Sequence, residues 1–188
     1  MSIDYFVYLK HADRFSSHDF EQYCGSFGLQ VELHPSFNLL EDTGFSPIRL
    51  IDKRFAGNNQ NYDFLSGFEV YPSEYEHDVQ PQKKATGFFQ KLFRKKPAQE
   101  NPFDIAIKDA AWYIMLACHS GDSFEMLLAY IFGAYLVKYC GGIFDDPQTG
   151  QFYEDHKHLE CEVAAFIEIL LEQRKNSELL THEFTGWT

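Results

Sequence analysis

Ile3, Tyr5, Val7 and Leu9 alternate with Asp4, Phe6, Tyr8 and Lys10, a period of two that predicts a strand with one better-buried face. The period then lengthens. Phe20, Tyr23, Cys24 and Phe27 recur at helical spacing behind Ser16 and Ser17, either of which can cap the helix, and Asp19 and Glu21 fall in the first turn, where the dipole favours an acid. Gly28 stops this helix. Gln30 to Leu33, Pro47 to Ile51 and Gly67 to Tyr71 read as short strands between turn-rich stretches such as Gly57-Asn58-Asn59-Gln60-Asn61.

From residue 72 to 99 no apolar period is sustained, and the segment holds Pro81 and Pro97, so it reads as a flexible loop. Regular structure resumes at Asn101-Pro102-Phe103-Asp104, an N-cap, a first-turn proline and a first-turn acid, which predicts a helix to His119. Ser120-Gly121 breaks it, and Asp122 with Glu125 resembles a capping box for a second helix. That helix carries Phe124, Leu127, Leu128, Ile131, Phe132 and Tyr135, with Leu136 and Val137 on its other faces, and reads as the central, buried one. Gly141-Gly142 ends it. Ile143-Phe144 and Gln151-Phe152-Tyr153, joined through Asp145-Asp146-Pro147-Gln148-Thr149-Gly150, predict a hairpin. Leu159, Val163, Phe166, Ile167, Leu170 and Leu171 place an apolar stripe on a last helix, with Glu160, Glu162, Glu168 and Glu172 largely outside it. The expected fold is a single α+β domain over 1–188. It has a small, mainly antiparallel N-terminal sheet carrying one helix, and a helical C-terminal half that contributes a β-hairpin.

Composition adds the character of the core. A chain of 188 residues with 45% hydrophobic content suits one core. Its 19 Phe, 11 Tyr and 2 Trp make that core one of bulky rings. Cys24, Cys118, Cys140 and Cys161 are widely spaced, and the start MSIDYF has neither a cationic n-region nor an apolar h-region, so reduced thiols and a cytoplasmic location are expected. The uninterrupted apolar run Met126 to Val137, closed by Glu125 and Lys138, falls short of the ~20 residues a spanning helix needs.

Charge changes the picture most. Lys83, Lys84, Lys91, Arg94, Lys95 and Lys96 are six of the sixteen basic residues. Without them, ten basic residues stand against twenty-eight acidic ones and the formal net of -12 becomes -18. An anionic body repels nucleic acid and anionic lipid and attracts cationic proteins. Nucleic acid is therefore not the expected partner, and a cationic protein is. The acidic residues Glu160, Glu162, Glu168, Glu172, Asp145 and Asp146 are the candidate partner-binding set. The basic segment offers another use: Phe88, Phe89, Lys91, Phe93 and Arg94 have the composition of an amphipathic helix at a membrane surface.

Two stretches gather catalytic residue types. Cys118-His119-Ser120-Gly121-Asp122-Ser123 holds a thiol, two hydroxyls, an imidazole and a carboxylate, but core burial, a helix break and a cap account for every residue. Asp155, His156, His158, Glu160, Cys161 and Glu162 include zinc-ligand chemistry without HExxH or paired-cysteine spacing. No residue is assigned to catalysis, cofactor or metal. A small hydrolase or metalloenzyme assembled from distant residues is the competing class.

Ser66-Gly67-Phe68-Glu69-Val70-Tyr71, then a helical pair and Gly141-Gly142-Ile143-Phe144-Asp145-Asp146-Pro147-Gln148-Thr149-Gly150, resemble a stretch of small bacterial cytoplasmic proteins. Some of those are similar to immunity proteins of polymorphic toxin systems. The resemblance spans Ser66 to Tyr153 and implies a non-enzymatic protein that neutralises a basic toxin domain by binding it, with no residue role carried over.

Overall fold

The alternating segment at the start of the chain forms β1, Ser2–Leu9, and it runs through the interior of a sheet instead of along its edge. The computed structural model describes residues 2–52, 54, 63–76 and 102–175. In the first half, α1 (Ser17–Gly25) is followed by β2 (Gln30–Leu33), β3 (Gly44–Ile51) and β4 (Asp63–Glu74). The second half begins with a short helix α2, Pro102–Ala106. It continues through β5 (Trp112–His119), α3 (Ser123–Leu136), β6 (Gly142–Asp146), β7 (Gln151–Tyr153) and α4 (His156–Lys175). The strands make one seven-stranded sheet in the order β2-β3-β4-β5-β1-β6-β7, with every neighbouring pair antiparallel. The α+β class and the antiparallel pairing are as expected, and the Gly142-to-Tyr153 hairpin forms. The sheet also draws β5, β6 and β7 from the second half of the chain.

The helix expected over Asn101–His119 is the main correction. Helical geometry stops at Ala106, a 3-10 turn covers Ile107–Asp109, and Trp112–His119 is a strand held by β1 on one side and β4 on the other. A continuous apolar run such as Trp-Tyr-Ile-Met-Leu-Ala-Cys fits a buried strand and a buried helix equally well by periodicity. The backbone partners on both flanks decide for the strand, and Leu116↔Tyr5 and Ile114↔Val7 are in register. A second correction lies at β4, which continues to Glu74 and so takes Pro72 out of the expected loop. Pro72 is beyond Val70↔Gly44, where β3 ends, so its missing N–H falls where the strand has one neighbour. Residues 77–99 of that loop, with the basic segment 83–96, and Asn101 and the 57–61 turn lie outside the described residues.

One sheet face is covered. Tyr5, Val7, Leu9, Val31, Leu33, Ile48, Leu50, Val70, Ile114, Leu116 and Phe144 are buried on it, and α3 lies across β4, β5, β1 and β6 with α1 and α4 beside it. The closeness has a sequence cause: a Cβ at Gly133 would collide with the ring of Phe144, so only glycine lets α3 rest on β6. Helix ends follow the sequence. Ser16 Oγ accepts from Asp19 N at the start of α1, and Asp122 Oδ1 accepts from Phe124 N (2.9 Å) and Glu125 N (3.0 Å) at the start of α3. The capping box is modified: Asp122 N donates to His119 O, and Glu125 Oε2 accepts from His119 N. After α3 a π turn, Val137–Gly141, ends at Gly141 with φ 63. Ser123–Gly141 is long and apolar enough to cross a membrane by length and composition, but it is mostly buried inside this fold, which is how the core helix of a sheet-and-helix protein looks.

Candidate partner-binding site

Asp145 and Asp146 are adjacent on β6, so the pleat sends them to opposite sides of the sheet. Asp145 sits opposite Phe6 and faces away from the helices. Asp146 points under them and is 2% exposed. Its Oδ2 accepts the Tyr130 hydroxyl at 2.5 Å, and its Oδ1 accepts Gln148 N at 2.9 Å, which fixes the turn into β7. Burial, and then the hydrogen bond to Asp146, push the Tyr130 phenol well above its ordinary value; burial does the same for Tyr5, whose ring lies 5.1 Å from that of Tyr130. Both phenols therefore stay protonated, and Tyr130 acts as the donor to Asp146.

Above this pair a groove of about 340 Å³ opens between α3, α4 and the hairpin turn. Met126 and Tyr130 come from one face of α3, four residues apart, and Glu162, Ala165, Phe166 and Ile169 from one face of α4 at helical spacing. Ile3 and Tyr5 of β1 and Gln148 and Thr149 of the turn complete the lining. Ile169 is 54% exposed. The charged lining residues are Asp146 and Glu162, both acidic. Their field reaches Tyr153, whose phenol is raised by burial, then by Glu162 and Asp146. Such a groove can take an apolar side chain with a cation beside it.

Of the six sequence candidates, Asp146 and Glu162 thus meet in one place, although Asp146 is a buried turn residue and acts on a partner only through its field. The others do not join them. Glu160 leaves α4 on the opposite flank, where its Oε1 accepts from Lys138 Nζ at 2.9 Å and from the Tyr23 hydroxyl at 3.1 Å. Burial works against that carboxylate, but the hydrogen bonds from Lys138 and Tyr23 outweigh it and hold its carboxyl below the ordinary value. Glu168 and Glu172 are exposed, one turn apart on the outward side of α4. Sequence reasoning passed over Ile169 and Tyr130. Both carry a signal: an isoleucine outside the stripe of its helix, and a phenol in an otherwise apolar one.

In the Cys118-to-Ser123 stretch the thiol and the carboxylate are engaged by the fold. Cys118 is buried, its thiol donates to Glu125 O at 3.5 Å, and burial followed by Glu125 pushes it well above the ordinary thiol value. Asp122 is occupied as the cap. Near the other stretch, Asp155 accepts Lys157 N and lies 3.7 Å from His156 Nδ1, while Glu160 turns to Lys138. Among the described residues no three His, Cys, Asp or Glu side chains form a group that could hold a metal ion. No protein family, no curated protein and no solved structure matches the chain.

Proposed function

We propose that the protein is a non-enzymatic binder of a cationic protein, which it engages at the groove between α3, α4 and the β6–β7 turn. The observation that carries this reading is the groove's make-up: apolar walls with an exposed Ile169, and charges of one sign only, at Asp146 and Glu162. Charge depletion around an apolar centre, with complementary charge at the rim, is how binding surfaces combine area with orientation. The outward carboxylates Glu168 and Glu172 add steering from a distance. Neutralisation of a basic toxin domain, the role that the sequence resemblance implies, is the concrete form of this proposal. The burial of the Cys118 thiol and the use of Asp122 as a helix cap weigh toward binding over the hydrolase reading.

The test uses the immobilised protein and two amphipathic helical peptides that share a leucine face, one with lysines and one with glutamines on the other face. Binding of the lysine peptide is expected, weakening as salt rises, and weakening about fivefold or more in Ile169→Ala and Glu162→Gln. Equal binding of the two peptides, or indifference to both substitutions, overturns the proposal.

A further inference from the structure

The sheet has a second face, and its composition is unusual for a face turned away from the helices. The register sets Tyr71, Met115, Phe6, Asp145 and Phe152 side by side across β4, β5, β1, β6 and β7. The next row holds Ser73, Tyr113, Tyr8 and Ile143, and the row on the other side Phe45, Glu69, Ala117 and Asp4. Facing water, such a sheet ordinarily alternates to polar residues. Here rings dominate: Phe6 stacks on Tyr113 at 5.6 Å and 17°, and Phe103 of α2 meets Tyr8 at 5.4 Å at one end. Phe45 is 40% exposed.

Across β4, β5, β1 and β6 the charges between the rings have one sign, while Arg49, on the same side of β3, pairs with Glu32 of β2 at 3.0 Å. Asp4, Glu69 and Asp145 lie on this face, and on β4, β5, β1 and β6 no lysine or arginine shares it. Burial, then neighbouring Asp146, raise the Asp145 carboxyl, and burial, then Asp145, push Tyr8 up to about 12. A second copy of the face would set carboxylates against carboxylates, and an anionic lipid or nucleic acid would be repelled. A neutral apolar strand would bury three carboxylates that, among the described residues, meet hydroxyls at most, Ser2 on Asp4 and Tyr71 on Glu69, and no cation, which is costly. A guanidinium satisfies both features, because it stacks on aromatic rings and forks onto carboxylates.

We propose that this aromatic face is a second docking surface, which takes an arginine-bearing segment of a partner protein. It rests on the reading of the partner as cationic, but on residues separate from those of the groove.

The experiment is a titration of the full chain with an alternating Arg–Thr peptide, its Lys–Thr counterpart and an Asp–Thr control, followed by tyrosine fluorescence and calorimetry. The Arg peptide is expected to bind about fivefold or more tighter than the Lys peptide, with the Asp peptide inert. The combined Asp4→Asn, Glu69→Gln and Asp145→Asn variant should weaken Arg-peptide binding about tenfold, and Glu69→Gln alone, at an exposed position where folding is not at stake, about threefold. Ile169→Ala and Glu162→Gln should leave it unchanged, so a failed groove and a failed face are told apart. Unaltered binding in both face variants overturns the proposal. So does a chain that binds the Arg peptide only after its own Lys83, Lys84, Lys91, Arg94, Lys95 and Lys96 are replaced by serine, because the face is then filled from within the molecule.

Discussion

The two faces of the sheet are built from the same strands and differ in what covers them. Beneath the helices, Phe132 of α3 lies within ring contact of Phe15, Phe20, Phe37 and Phe68, all at about 5–6 Å. On the far face Phe6, Tyr71 and Met115 are only partly buried, and carboxylates stand between them. Aromatic content alone therefore does not mark the core. The same ring adds to stability where α1, α3 and α4 close over it, and stays partly exposed on the far face, which among the described residues those three helices do not cover.

The contrast is tested most strongly by truncating one ring on each face. Phe132→Ala, fully buried, should cost about 3–5 kcal/mol by denaturant unfolding. Phe6→Ala should cost only ~1 kcal/mol, the scale of one aromatic pair. Comparable losses would show that the far face is as well packed as the near one.

The paired aspartates sharpen the comparison. Asp146→Asn removes the charged acceptor for the Tyr130 hydroxyl in a buried site and should cost about 1–3 kcal/mol. Asp145→Asn should stabilise at neutral pH. Burial and Asp146 raise the Asp145 carboxyl in the folded state, so between its unfolded and folded values the folded chain holds the extra proton. Stability then falls as pH rises through that window and stays lower above it. Measured from the ordinary aspartate range upward, the parent should lose stability that the Asp145→Asn variant keeps, and parallel pH profiles would refute the assignment.

Smaller effects probe the entry to the helical layer and its outside. Asp122→Ala should cost about 0.5–2 kcal/mol, while Asp122→Asn stays close to the parent because its side-chain oxygen accepts the same backbone N–H groups. An Ala variant as stable as the parent would remove the cap. Cys161, exposed on α4, should react readily with a thiol reagent in the folded protein, whereas the buried Cys24, Cys118 and Cys140 should react only on unfolding. Burial pushes Cys140 up to about 12. Cys161→Ser should change stability by less than about 0.5 kcal/mol, and fast labelling of a second thiol would show the layer to be open.

Two residues of the candidate groove were legible in the chain: Asp146 and Glu162 stood out as acids beside a turn and off an apolar stripe. Tyr130 and Ile169 did not, because a phenol in an apolar helix and an isoleucine among glutamates acquire meaning only when two helices meet. The sequence by itself determined β1, a serine cap at Ser16 or Ser17, the cap at Asp122, the apolar helix from Ser123, the hairpin and the sign of the charge, since each depends on residues within a few positions of one another. The tertiary structure decided that Trp112–His119 is a strand, that Asp145 and Asp146 part company, and that α1, α3 and α4 close over one of the two aromatic faces. A period of two states that a strand has two faces, and an apolar run that a segment is buried. The strand pairing and the placement of α3, which join residues far apart in the chain, settle which partner each meets.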